Sequence, residues 1–269
     1  GRSLAIVMGG MSIGTVIGVP VGVLLAEHVG WRGTLWLVTA LGFLALVGVT
    51  TGLPRAEATP PPPLRERIRV LGDRRVAPIA AVSLLGGIAS LGLYTYLASF
   101  LADAAEVGDP VGYLWAWGIG GVLGSLLVGP LVDRTSKPFT VVAVVLAVLA
   151  AAHLVLPVIA PYTWALMVPL ALWGAAGWAL QVPQQHQLID ARPDHAPVAV
   201  SLNSSAVYLG SAAGSALGGL LMAAGLPAAR LPYCTAAAAL LALLLHLTVV
   251  RTRIRRAAPP ADGGQPAQM

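Results

Sequence analysis

From residue 198 to residue 226 the chain carries no charged side chain, and within that run Gly210, Gly214 and Gly218 recur at every fourth position. Residues four apart lie along one face of a helix. In water such a helix would be poor, because each interior glycine costs about 1 kcal/mol relative to alanine. In a bilayer the backbone has no water to bond to, so a helix is forced. There the small residues let a neighbouring backbone approach closely. Gly14, Gly18 and Gly22 repeat the ladder near the start of the chain, at a constant offset. Two glycine-faced membrane helices in corresponding places imply a duplicated bundle.

The remainder fits that class. Charged residues are 10% of the chain and hydrophobic ones 57%, against roughly 25% charge in a soluble domain. A crossing helix needs about 20 mainly apolar residues for about 30 Å of hydrocarbon. Eight segments qualify: 4–26, 34–53, 77–101, 111–132, 139–158, 163–183, 198–224 and 232–250. The expectation is an all-α polytopic membrane protein. Its one cysteine, Cys234, excludes an internal disulfide and a cysteine-rich metal site. Gly1 does not initiate translation, so the chain reads as a fragment or a processed form. The first apolar run exceeds the roughly 7–15-residue core of a signal peptide and reads as an internal span.

The basic residues give an orientation. All of the 16 Lys and Arg except Arg32 and Arg230 fall on one side of this arrangement. The positive-inside rule makes that side cytoplasmic, with both ends of the chain there. The net charge of +5 is thus an orientation signal, and nucleic acid drops out as a partner. The link 54–76 reads as a hinge between two bundles. It has a stiff proline run at 60–63, then Leu64, Ile68 and Leu71 at helical spacing among arginines. Either a short amphipathic helix on the membrane surface or a disordered charged loop fits it. The tail 257–269 has a disordered composition.

Four features together resemble the major facilitator superfamily, in its drug–proton antiporter and arabinose-efflux-permease-like branch. The stretch from Gly129 through Asp133 and Arg134 to Lys137 is similar to the family's Gly-x-Leu-Ala-Asp-Arg-x-Gly-Arg-Arg loop. Gly14, Gly18, Pro20 and Gly22 resemble the antiporter motif of its fifth helix. The basic central link and the run from Asn203 into Gly210 are the third and fourth features. Ser136 stands where the family has glycine, Lys137-Pro138 replaces a basic pair, and Pro20 sits one place late. The resemblance implies helices five to twelve of a twelve-helix bundle. On that reading 1–53 ends the N-terminal bundle, 54–76 is the cytoplasmic linker and 77–256 is the C-terminal six-helix bundle. It also implies an alternating-access efflux carrier for a small organic solute, drug- or sugar-like, with protons as the candidate coupling ion.

Roles follow for particular residues. Asp133 ends a span, where the helix dipole disfavours its charge, so it needs a positive partner. The N-terminus of the first span, with Arg2, would clamp the cytoplasmic side; alternatively, Asp133 simply caps a solvated turn. Pro20 among the glycines should kink the first span. Polar groups inside apolar spans are costly and face the interior. Tyr94, Trp178, Gln181, Asn203 and Tyr208 are therefore the candidate substrate contacts, with gating or interfacial roles competing. Gln181, Gln184 and Gln185 share a face if their helix continues past Pro183. His153 and His246 read as packed or lipid-edge histidines rather than a proton relay. No metal spacing, cofactor motif or nucleophile–base pair occurs, so neither an enzyme nor a metal site is expected. The mid-depth of all eight segments also lacks a carboxylate. Expected partners are the lipid bilayer and a small-molecule substrate, with the protein a monomer in the cell membrane. The competing reading is a non-transporting membrane receptor, a scaffold or an inactive fragment.

Overall fold

The computed structural model describes residues 14, 18, 21–52 and 63–250, with the backbone alone at 64, 66–68, 249 and 250. Every regular element among them is helical. The long helices are α1 (Trp31–Gly52), α5 (Val111–Thr135), α6 (Pro138–Ile159) and α9 (Ala196–Ala223). The shorter ones are α2 (Leu64–Leu71), α3 (Val76–Gly87), α4 (Leu97–Ala105), α7 (Met167–Ala179), α8 (Gln181–Ala191) and α10 (Leu231–Leu245). A π-helical turn, Ile88–Gly92, extends α3, and another, His246–Val250, extends α10.

Six spans in the described residues are long and apolar enough to cross a bilayer, and a bent pair makes a seventh. They correspond to seven of the eight expected segments. The first expected span, 4–26, lies mostly outside the described residues, as do Pro20 and Arg2. Gly14, Gly18 and 21–29 are helical. That helix turns at Gly30, at φ +83°, into α1. The Thr34 hydroxyl donates to the Gly22 carbonyl at 2.8 Å and staples the hairpin. No residue of α1 is buried.

Two expected spans differ from simple rods. Segment 77–101 is broken: Val76–Gly92 and Leu97–Ala105 meet at 54°. Segment 163–183 runs on to Ala191 and restarts at Gln181. Pro183 is the reason for the restart. It has no N–H to give the preceding turn, and in the first turn of α8 none is needed. The link 63–75 forms α2 as a helix of two turns, with Val70 buried against the bundle and Arg65 and Arg69 exposed.

Residues 76–250 share one core. α3 and its π-helical turn lie along α9, α4 packs on the turn at Ala228–Arg230, α5 lies along α7, and α6 packs against α7 and α10. The core is filled by Leu97, Phe100, Trp117, Leu146, Leu149, Leu156, Leu170, Trp173 and Leu231, all essentially inaccessible. Two of the pairings are glycine contacts. A Cβ at Gly214 would sit 2.7 Å from the Ile88 carbonyl, and one at Gly210 would collide with the Leu84 carbonyl. Gly218 lies under the Tyr96 ring. In the α5–α7 pair, Gly120 and Gly124 meet the carbonyls of Ala171 and Ala175, and Gly174 meets that of Trp117. Without side chains between them, each pair brings backbone against backbone.

Candidate functional site

Arg74, Arg75, Arg134, Lys137 and Arg192 mark one end of the bundle, called here the basic end. Counting inward from it, Ser83 is seven residues into α3, Asn203 seven into α9, and Gln184 seven from the close of α8. At about 1.5 Å per residue, all three lie about 10 Å deep. They meet. The Ser83 hydroxyl donates to Asn203 Oδ1 at 2.5 Å. Gln184 Nε2 donates to Ser83 Oγ at 3.2 Å and to the Ile79 carbonyl at 3.5 Å. Asn203 Nδ2 donates to Gln181 Oε1 at 3.2 Å. Ser83, Gln184 and Asn203 are buried and Gln181 is half-buried, so the layer opens at its Gln181 edge. A hydrogen-bonded amide cluster holds three helices in register where unpaired polar groups would be costly. Gln187, one turn further along α8, is also buried, and its amide has no partner among the described residues.

A second layer lies toward the opposite end. Trp117 is six residues into α5, and His153 stands six before the end of α6, each about 9 Å deep. The Tyr94 and Trp117 rings stack with centroids 4.1 Å apart. Trp117 meets Trp173 edge-on at 6.0 Å, and Trp173 meets His153 edge-on at 5.1 Å. Trp173 is fixed further by donating to Ser90 Oγ at 3.1 Å. Ser90 belongs to the π-helical turn, and Gly177 leaves room for its hydroxyl. Beside this stack, the Thr95 and Ser215 hydroxyls are 2.7 Å apart, and Tyr96 donates to the Ser215 carbonyl at 2.5 Å.

Of the expected substrate contacts, the structure brings Gln181 and Asn203 into one network and seats Tyr94 at the edge of the aromatic layer. Trp178 is half-buried against Gly121, between the layers. Tyr208 stands apart: it is 61% exposed, while Asn203 on the same helix is buried. Five residues turn a helix by about 140°, so the two cannot face the same way. Gln181, Gln184 and Gln185 do share a continuous helix past Pro183. His153 and His246 are both packed; His246 Nε2 lies 2.8 Å from the Phe139 carbonyl and its ring stacks on Phe139.

The loop motif occupies the basic end. Gly129 is half-buried in α5, and Asp133, Arg134 and Lys137 are exposed around the α5–α6 turn. Asp133 makes no ion pair among the described residues, and its expected partner near Arg2 lies outside them. Ser136 closes α5 at φ +50°, a left-handed conformation that favours glycine. That geometry accounts for the glycine at this place in the resembling motif. Gly14 and Gly18 are exposed, and a Cβ on either would meet nothing within 4 Å. Gly22 would touch only Thr34, at 3.2 Å. Among the described residues, then, no backbone lies against Gly14 or Gly18.

Three features escaped sequence reasoning. The Asp73–Arg192 ion pair, at 3.5 Å, ties the link to the close of α8. Asp103 Oδ2 accepts from the Ala229 amide at 2.9 Å, tying α4 to the turn before α10. The Gly120, Gly124 and Gly174 contact was readable as small residues at four-residue spacing, but nothing in the sequence named its partner.

Comparisons with known proteins agree with this architecture. The family profile described as Major Facilitator Superfamily matches residues 1–215. The inner membrane transport protein YdhP of Escherichia coli (strain K12) is 30% identical over 243 residues, covering 88% of this chain and 61% of that protein. The uncharacterized MFS-type transporter YbcL of Bacillus subtilis (strain 168) is 27% identical over 261 residues, covering 96% and 66%. A chloramphenicol resistance protein of Streptomyces lividans is 31% identical over 224 residues, covering 80% and 56%. The chain thus spans 56% to 66% of the length of these three relatives. With its apolar helical bundle, its glycine-seated pairs and these matches, the chain belongs to the Major Facilitator Superfamily of membrane transporters.

Proposed function

We propose that the full-length protein is a secondary active efflux carrier that moves a small, drug- or sugar-like organic solute across the cell membrane by alternating access. The observation that carries this reading is the amide layer of Ser83, Gln181, Gln184 and Asn203. Neutral hydrogen-bonding groups from three different spans converge inside an otherwise apolar bundle, half-open at Gln181. Such groups are costly in a membrane interior and mark solute or ion pathways. The name of the Streptomyces relative, a chloramphenicol resistance protein, supports a drug-like solute. Tyr94, Trp178 and Tyr208 are further proposed contacts.

In this reading the basic end is cytoplasmic, residues 1–53 close the N-terminal bundle, 54–76 link the halves, and 77–256 form the C-terminal bundle. Protons are the coupling ion. Gly129, Asp133, Arg134 and Lys137 form the cytoplasmic gate, Asp133 meeting the N-terminus of the first span. Gly14, Gly18, Pro20 and Gly22 form a pivot in the first span, and Gly210, Gly214 and Gly218 seat the broken span that moves with the C-terminal half. The carrier acts as a monomer without a cofactor.

The test is solute accumulation in everted membrane vesicles containing the full-length protein. Energised vesicles should accumulate a transported solute, and a protonophore should abolish the accumulation. Vesicles with the protein that match vesicles lacking it, over a broad panel of solutes, would favour a non-transporting receptor or scaffold.

A further inference from the structure

The aromatic layer has one open end. His153, Trp173 and Trp117 are at most 1% exposed, whereas Tyr94, stacked on Trp117, is half-buried. The stack crosses four helical elements: α6, α7, α5 and the break between α3 and α4. Tyr94 is therefore held from behind by a fixed column. A ring whose orientation is already set loses little freedom when a second ring stacks on it. The next two residues, Thr95 and Tyr96, tie the break to Ser215 of α9 and so fix the backbone that carries the ring. Trp117 itself is sealed behind the Tyr94 ring, its Nε1 buried, so Tyr94 is the member of the column that a second ring can reach. Charge is excluded by the same helices. Segments 77–101, 111–132, 163–183 and 198–224 contain no Asp, Glu, Lys or Arg, so a charged solute would leave water without a counter-charge from this half.

We propose that Tyr94 is a stacking platform that selects an uncharged planar aryl group, which makes it the residue of this half that determines specificity. The inference rests on the carrier reading above and names the class of solute.

Equilibrium binding to purified full-length protein tests it with four probes: 4-nitrobenzyl alcohol, cyclohexylmethanol, 4-nitrobenzylammonium and 4-nitrobenzoate. The nitrobenzyl alcohol should bind most tightly of the four. Tyr94→Leu should weaken it by about fivefold to tenfold, and Tyr94→Phe, which keeps the ring, should stay within about twofold. A second readout needs no change at Tyr94. A nitroaryl ring stacked there lies one ring from Trp117 and quenches its emission, so Trp117→Phe should lower the quench at saturation. Binding unaltered by Tyr94→Leu, charged analogues that bind as tightly as the alcohol, or an equal quench without Trp117 would each overturn the platform, whatever vesicles do. Wild-type vesicles that move no solute would overturn the carrier reading, and this inference with it.

Discussion

Gly210, Gly214 and Gly218 have the same spacing as Gly14, Gly18 and Gly22, and the two ladders sit in opposite surroundings. The first is pressed against the backbone of the broken span at Leu84, Ile88 and Gly92, and its last step lies beneath Tyr96. Among the described residues nothing stands within 4 Å of a Cβ at Gly14 or Gly18, and at Gly22 only Thr34 does. A four-residue glycine repeat is thus permission for a backbone to approach. Whether one does depends on which helix the fold delivers. Here the fold delivers a helix that has itself lost regularity: the π-helical turn and the 54° break both lie along the packed ladder. Close backbone contact and a broken partner occur together, as befits a span whose freed backbone groups must be sheltered by protein.

Substitution at the ladders gives the sharpest contrast. Gly210→Ala should destabilise the folded protein by about 1–3 kcal/mol, because the Leu84 carbonyl has nowhere to move. Thermal unfolding in detergent would show this, and Gly120→Ala should behave alike against Ala171. An equal cost at Gly14 would break the comparison. Asn203 lies on the same buried face of α9 as Gly210, so it separates polar from steric contributions to one helix pair. Asn203→Ala leaves the Ser83 hydroxyl and the Gln181 amide without their partners and should cost about 1–3 kcal/mol. In Ser83→Ala the loss should be smaller, since Asn203 keeps Gln181.

Smaller effects concern the basic end. Asp133→Asn in the full-length protein should shift the ratio of inward- to outward-facing states by about 1–2 kcal/mol if the acid meets a helix N-terminus. Spin-label distances across that end report the ratio, and an unchanged distribution would leave Asp133 as a solvated cap. Ser136→Gly should raise stability by about 1 kcal/mol, as it relieves a left-handed residue. Last comes Gly14→Ala, where no described residue meets the added Cβ. It should fall within about 0.5 kcal/mol of neutral or stabilise slightly through helix propensity.

Much of the bundle was legible because a bilayer imposes a length and a composition on each crossing helix. Charge-free runs bounded by Arg, Asp and Pro placed seven spans that the structure bears out. What stayed hidden depends on contacts distant in sequence. Ser83 and Asn203 are each unremarkable polar residues until the fold sets them 2.5 Å apart. The break after Gly92 has neither a proline nor a charge to announce it. Gln184 lay beyond the expected end of its span because Pro183 reads as a terminator, whereas in a first helical turn it is tolerated. Tyr208 was grouped with Asn203 by type and proximity along the chain, and helical phase separates them. At Ser136 the mismatch with glycine was visible in the sequence, but its reason, a positive φ, was not.

The central claim is that residues 210–218 seat the broken span Val76–Ala105, and a cross-link tests it most directly. Thr95 and Ser215 hold their hydroxyl oxygens 2.7 Å apart, within reach of a disulfide once both are cysteine. In the full-length protein, with Cys234→Ala and every other native cysteine likewise replaced, Thr95→Cys and Ser215→Cys together should oxidise readily in native membranes. Protease cleavage between them should then leave the two fragments joined until reductant is added. Fragments that separate without reductant under the same oxidation would contradict the seating of this span on the glycine ladder.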